Sequence, residues 1–161
     1  MRCATRIGLL ALALLASCTR APVSRNTAPT ASQWFRDATR ELGIDFVHVA
    51  GTNYWMPDQI GSGVCLADFN GDGRLDLYFV QNGGKSQTAP NRLYLQEASG
   101  KFRDASAESG VNVSGNGMGA YAADVNNDGL PELLVTEYGA TRLFVNVGGG
   151  RFREITAECG I

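Results

Sequence analysis

The sequence has little of what hydrolytic enzymes and nucleic-acid-binding proteins require. Its 161 residues include one histidine, His48, which lies in an alternating apolar run and is interpreted as a strand residue and not as a catalytic base. No serine or cysteine is set in a nucleophile-elbow motif. There is no basic run with interleaved aromatic residues, so nucleic acid is not expected as a partner. The sequence therefore predicts a protein that is not an enzyme.

The N-terminal apolar run is too short to span a membrane. Residues 7–16 make ten apolar positions, whereas a spanning helix takes about 20. With Arg2 and Arg6 at its positive end, the run is typical of a secretory signal. Residues 15–18, Leu-Ala-Ser-Cys, resemble the bacterial lipobox, which implies cleavage before Cys18 and its lipidation. An ordinary cleaved signal is the alternative.

These features divide the N-terminal region. Residues 1–17 are predicted to be a lipoprotein signal peptide, and residues 18–33 are the lipidated Cys18 and a flexible tether rich in Ala, Thr, Ser and Pro. Cleavage lowers the number of basic residues from 14 to 12 against 16 acidic ones, a formal net charge of −4. We expect an exported lipoprotein that is anchored to a bacterial membrane on its periplasmic or cell-surface side.

Two segments share the pattern D-x-N-x-D-G-x-x-[D/E]. Oxygen ligands at alternate positions of a tight loop converge on one point, and a glycine after the third ligand allows a left-handed turn. Several carboxylates without His or Cys suit Ca²⁺. The first loop offers Asp68, Asn70, Asp72, the carbonyl of Arg74, and Asp76. The second offers Asp124, Asn126, Asp128, the carbonyl of Leu130, and Glu132. The sequence predicts two Ca²⁺ sites, with polar turns as the alternative.

The loops differ from EF-hands. An EF-hand has helices on both sides and a glutamate at loop position twelve, where this sequence has Phe79 and Val135. The flanking runs are short and rich in β-branched and aromatic residues, which is typical of strands. Each loop is therefore predicted to join two strands, and the opening of a calcium-sensor helix pair is excluded.

The loops lie within a larger repeat. Residues 91–105 return as residues 141–155, and a partial copy begins at Phe35. Four strands in each repeat indicate a β-propeller blade. The predicted fold is all-β, with four-stranded antiparallel blades at 61–105 and 117–155, a partial blade at 34–46, and an incomplete propeller across 34–161. The glycine-rich segment 115–119 is predicted to allow close backbone approach where a blade begins.

The strand–DxNxDGxx[D/E]–strand unit, followed by N-R-L-Y and F-R-D, resembles the FG-GAP/VCBS repeats of calcium-loaded propellers such as integrin α-subunit heads. Residues 43–49 and 56–63 resemble the cartilage-acidic-protein-like group that often carries an ASPIC/UnbV domain. One position departs from the pattern, because Glu132 stands where Asp is usual. The resemblance implies calcium-stabilised blades and carries over nothing from the ASPIC/UnbV part.

Two of the four cysteines, Cys65 and Cys159, lie C-terminal to the predicted tether. They occupy different places in the two repeats, so they are interpreted as two buried small hydrophobic residues and not as a disulfide.

The sequence is compatible with three functions. The first is a tethered calcium-dependent module that binds or adheres to a protein or glycan. The second is a structural fragment of a larger calcium-stabilised propeller, which would self-associate through unpaired blade edges. The third is a non-catalytic part of an extracellular enzyme that acts on polysaccharide.

Overall fold

The computed structural model describes residues 34–49, 56–82 and 89–161. The predicted signal peptide, Cys18 and the tether lie outside the described residues. The chain divides into two units, Met1–Arg36 and Asp37–Ile161. The strands and helices all lie in the described part of the second unit. In the described parts of the chain, no helix has the length and apolarity to cross a membrane.

The described elements are eight short strands and three short helices. In chain order they are α1 (Met56–Ile60), β1 (Gly63–Ala67), β2 (Asp76–Val80), β3 (Arg92–Gln96), β4 (Phe102–Asp104), α2 (Ser106–Ser109), β5 (Gly117–Ala123), β6 (Glu132–Glu137), β7 (Ala140–Asn146), β8 (Phe152–Glu154) and α3 (Thr156–Cys159).

The strands form two separate antiparallel sheets. The first blade has the order β1-β2-β3-β4, and the second blade has the order β5-β6-β7-β8. Within each blade, every strand pairs antiparallel with the next one along the chain. The predicted all-β fold with four-stranded antiparallel blades is confirmed.

The two blades pack face to face and make one core. Cys65, Tyr78 and Leu93 lie on the face of the first blade that meets Leu133 and Phe144 of the second blade. The Tyr78 hydroxyl, buried in this contact, donates to the carbonyl oxygen of Val111 at 2.8 Å. Apolar burial of this kind contributes about 25 cal/mol per Å². The interface between the blades therefore holds the apolar core of the described chain.

A glycine marks the point where the second blade begins. A Cβ atom on Gly117 would lie 2.2 Å from the Cγ1 atom of Val80 and 2.8 Å from the carbonyl oxygen of Gln81. No side chain fits there, so the backbone of β5 can approach the end of β2 only at glycine. The expectation of close backbone approach within residues 115–119 is confirmed.

The N-terminal segment differs from the prediction. Residues 44–49 form no strand, so the interpretation of His48 as a strand residue is wrong. A partial blade was predicted at residues 34–46, but these residues form turns and extended chain. The backbone of this segment makes its hydrogen bonds with the side chain of Gln81 and not with a strand. The Gln81 amide nitrogen donates to the carbonyl oxygen of Val47 at 3.0 Å, and its oxygen accepts from the backbone nitrogen of Val49 at 3.1 Å.

This segment lies against the outer face of the first blade. Phe46 stacks on Phe79 with ring centroids 4.7 Å apart, and the Tyr94 hydroxyl donates to Asp45 Oδ1 at 2.6 Å. The segment therefore covers part of the face that would otherwise be open on the side away from the second blade.

The two cysteines have different surroundings. Cys65 is buried between the blades and Cys159 is exposed at the end of α3, and both are free thiols. The prediction of two buried residues holds for Cys65 and is wrong for Cys159, because α3 lies on the exposed side of the second blade.

Candidate metal centre

The first loop, residues 68–76, joins β1 to β2 and wraps around one carboxylate. Asp68 Oδ1 accepts from the backbone nitrogens of Gly71 at 2.8 Å and Asp72 at 3.1 Å. Its Oδ2 accepts from the backbone nitrogen of Gly73 at 2.7 Å. Gly71 and Gly73 have φ of 79° and 83°, the left-handed region that glycine adopts without a Cβ penalty. The glycines thus let the loop close around its first acidic residue.

The middle of the first loop holds two further oxygen side chains close together. The Asn70 amide donates to Asp72 Oδ2 at 2.8 Å, and the guanidinium of Arg74 forms an ion pair with the same oxygen. Asp72 Oδ1 accepts from the backbone nitrogen of Arg74 at 3.0 Å. Positive or polar donors therefore surround the Asp72 carboxylate within its own loop.

The ninth position of the first loop is a fully buried carboxylate. Asp76 accepts from the backbone nitrogen of Phe69 at 2.9 Å and from that of Gln96 at 2.8 Å. Burial raises the pKa of Asp76, and the negative charges of Asp72 and Asp68 raise it further, against the lowering effect of its two backbone hydrogen bonds. The negative charges of Asp68 and Asp72 therefore act on the buried carboxyl group of Asp76.

The second loop, residues 124–132, repeats this arrangement between β5 and β6. Asp124 accepts from the backbone nitrogens of Asp128 at 3.1 Å and Gly129 at 2.9 Å. Asp128 accepts from the Asn126 amide at 2.8 Å and from the backbone nitrogen of Leu130 at 2.9 Å. The prediction that both loops join two strands is confirmed.

Glu132 occupies the same place as Asp76 in spite of its longer side chain. It is 2 % exposed and accepts from the backbone nitrogen of Val125 at 3.0 Å and from that of Asn146 at 3.4 Å. Val125 and Asn146 correspond to Phe69 and Gln96 in the first repeat. Both ninth-position carboxylates thus bind the second residue of their own loop and the last residue of the third strand.

The oxygen set fits a calcium ion chemically. Among the described residues, no three His, Cys, Asp or Glu side chains already converge on a metal position. The carboxylates accept hydrogen bonds from backbone nitrogens of their own loops. A carboxylate has about four lone-pair sites, and Asp124 uses one for each of its two hydrogen bonds. Oxygens of this kind remain available to a hard cation that accepts six to eight of them.

Sequence patterns alone did not reveal three contributors to these loops. Gln96 and Asn146 hold the ninth-position carboxylates through their backbone nitrogens. The Arg74 side chain pairs with Asp72 and donates to the carbonyl oxygen of Gln96 at 3.0 Å. Gln96 and Asn146 could have been found from the repeat alignment, because they stand at equivalent positions at the ends of β3 and β7.

The Arg74 side chain is expected to weaken cation binding in the first loop. Its guanidinium takes an oxygen of Asp72 and adds positive charge, whereas the second loop has Leu130 at this position. We predict that Arg74→Leu raises the calcium affinity of the first loop about three- to tenfold at low salt, a gain that high salt reduces. Titration calorimetry in the Asp124→Ala background isolates this loop. An unchanged or lower affinity would contradict the prediction.

Residues 68–135 match the model of the FG-GAP-like repeat family. The match runs from the first loop to β6 of the second blade and supports an FG-GAP-like repeat protein. No curated protein matches the chain.

Proposed function

We propose that this chain is a calcium-binding repeat module that is tethered to a bacterial membrane on the extracytoplasmic side and binds a protein or glycan. The observation that carries the proposal is the repetition of one loop geometry in two blades, down to the buried ninth-position carboxylate and its two backbone donors. Calcium at both loops would neutralise carboxylates that are crowded in the folded state only, and would so stabilise the blades.

The ligands proposed for calcium are the oxygens that the repeats hold in equivalent places. Asp68, Asn70, Asp72, the carbonyl of Arg74 and Asp76 serve the first ion, and Asp124, Asn126, Asp128, the carbonyl of Leu130 and Glu132 serve the second. When bound, the ions hold each loop in one conformation. The loop surfaces are then fixed for contact with a partner. We also propose membership of the cartilage-acidic-protein-like group, on the sequence resemblance alone.

The binding role is tested by glycan arrays and by capture of cell-surface proteins at millimolar calcium. We expect retention that EDTA abolishes and that a double variant, Asp68→Ala with Asp124→Ala, does not show. Arg103→Ala is a matched surface control, because its ion pair with Glu108 lies on β4 and α2, away from both loops. Equal retention of the double variant would contradict a calcium-dependent binding surface.

The membrane tether is a separate part of the proposal. A lipidated Cys18 would hold the protein on the membrane, since each buried methylene contributes about 0.8 kcal/mol to partition. We predict that the wild-type chain sediments with membranes and incorporates labelled fatty acid. The Cys18→Ser variant should lose the label and should be released or accumulate as a precursor. A wild-type chain that is recovered unlabelled and soluble would refute the tether.

A structural role in a larger propeller is the second candidate, and one surface favours it. An open, apolar cavity of about 200 Å³ lies on the second blade, lined by Tyr121, Ala123, Val125, Glu132, Leu134 and Leu143. The equivalent residues of the first blade are Cys65, Ala67, Phe69, Asp76, Tyr78 and Leu93, which the second blade covers. The exposed face of the second blade thus matches a face on which another blade packs.

A further inference from the structure

One buried side chain links the two loops. Asn146, at the end of β7, is 3 % exposed. Its amide nitrogen donates to the carbonyl oxygen of Phe69 in the first loop at 3.0 Å and to that of Pro131 in the second loop at 3.1 Å. An amide NH₂ group has two hydrogens, so these two bonds use both of them. The side chain therefore fixes the distance between the backbones of the two loops.

The same residue contacts the ninth position of the second loop. The backbone nitrogen of Asn146 donates to Glu132 Oε1 at 3.4 Å, and the Asn146 side-chain oxygen accepts from the backbone nitrogen of Gly148 at 2.9 Å. On the other side, the backbone nitrogen of Phe69 donates to Asp76 at 2.9 Å. A continuous series of hydrogen bonds thus runs from Glu132 through Asn146 and Phe69 to Asp76.

Among the residues of the first blade that the structure describes, no side chain makes such a link. Gln96 holds the equivalent position and binds the loop through its backbone, with its nitrogen donating to Asp76 and its carbonyl accepting from Arg74. The Gln96 side chain is half-buried and makes no hydrogen bond that joins two loops among the described residues. Gln96 and Asn146 each hold one carboxylate through the backbone nitrogen. The Asn146 side chain in addition joins the two loops.

We propose that Asn146 is a positioning residue that couples the two calcium sites, so that an ion in one loop favours the arrangement of the other. The inference rests on the proposed calcium binding. An ion at the second loop restrains Glu132 and Pro131, and both contact Asn146. Because the Asn146 amide is shared, the restraint passes to the carbonyl of Phe69, next to Asp68. Coupling of this kind changes affinity by a factor of about five or more, and it acts equally in both directions.

Hydrogen exchange can test the link without using the binding function. In the Asp72→Ala chain the first loop loses a central ligand but keeps the bonds of Asp68 and Asp76. We expect that calcium, by filling the second loop, slows amide exchange in residues 68–76 about fivefold. With Asn146→Ala added, the exchange rate in this segment should no longer respond to calcium, whereas Gln96→Ala in its place should leave the response intact.

Two further measurements keep the outcomes distinct. Asn146→Asp preserves the size of the side chain and the acceptor for Gly148 but cannot donate to Phe69, so it should also lose the response even if the alanine variant is unstable. Calorimetry on the same Asp72→Ala chain shows whether calcium binds the second loop. Absence of binding would refute the proposed function itself. Binding that slows exchange equally with and without the Asn146 amide, or slows it in neither chain, would refute the coupling alone.

Discussion

Removal of calcium is expected to lower the melting temperature of the chain by about 15 °C. An ion that binds only the folded state adds RT ln(1 + [L]/Kd), about 2.7 kcal/mol for each site at 100 times the Kd. Two sites double this figure, and 1 kcal/mol corresponds to about 3 °C for a domain of this size. The crowding of Asp68, Asp72 and Asp76 around a buried position adds to the loss in the absence of the cation.

Single substitutions show how much each loop contributes to the gain in melting temperature. Asp68→Ala and Asp124→Ala should each remove about half of the gain, and the double variant should melt at the same temperature with and without calcium. Magnesium serves as the control cation, because it prefers a smaller octahedral site and retains its waters. Melting curves are recorded by circular dichroism in about 5 mM EDTA, which removes calcium, and in millimolar calcium, which is expected to saturate both sites. Identical curves for the wild type would contradict the stabilising role.

Truncation of Phe69 is expected to destabilise the fold more than any surface change. Phe69 is fully buried and meets Phe152 of the second blade edge to face, with ring centroids 5.7 Å apart. Phe69→Ala should cost about 3–5 kcal/mol, since it leaves a cavity between the blades. The backbone bonds from Phe69 to Asp76 and Asn146 remain, so the loss reports packing and not the loop.

Val125 is the matched control for this experiment. It holds the same position in the second loop but is 68 % exposed, because no blade covers that face in the described chain. Val125→Ala should change the free energy of unfolding by less than about 0.5 kcal/mol. Urea unfolding at saturating calcium compares the two variants. Equal costs would show that the interface between the blades is not the core of the protein.

The architecture was largely predictable from the sequence. Short runs rich in β-branched and aromatic residues on both sides of each D-x-N-x-D-G loop predicted the strand pairs β1–β2 and β5–β6. The repeat of residues 91–105 at 141–155 predicted the hairpins β3–β4 and β7–β8. Local patterns of this kind depend on neighbouring residues only, so they can be recognised without knowledge of the tertiary structure.

The N-terminal segment was not predictable in the same way. Residues 46–49 alternate like a strand, yet their backbone binds the side chain of Gln81, more than thirty positions further along the chain. No local pattern distinguishes a neighbouring strand from a glutamine side chain as the hydrogen-bond partner. Tertiary contacts decided the outcome here.

The sequence predicted the candidate ligands in the two loops but not the contacts that other residues make with those ligands. The D-x-N-x-D-G pattern identified the candidate ligands, whereas the link through Asn146 and the ion pair of Arg74 with Asp72 depend on how two blades and a hairpin meet. The burial of Asp76 and Glu132 also follows from that packing. These features became visible only with the side chains in place.

The most direct measurement of the central claim is the number of calcium ions that each chain binds. Equilibrium dialysis or titration calorimetry on the full chain, after removal of metal by chelation, should give a stoichiometry of about two, one for each loop that offers the oxygen set of Ca²⁺. Asp68→Ala and Asp124→Ala should each lower it to about one. A wild-type chain that binds no calcium at millimolar concentration, or that binds two ions in the absence of both aspartates, would contradict the account.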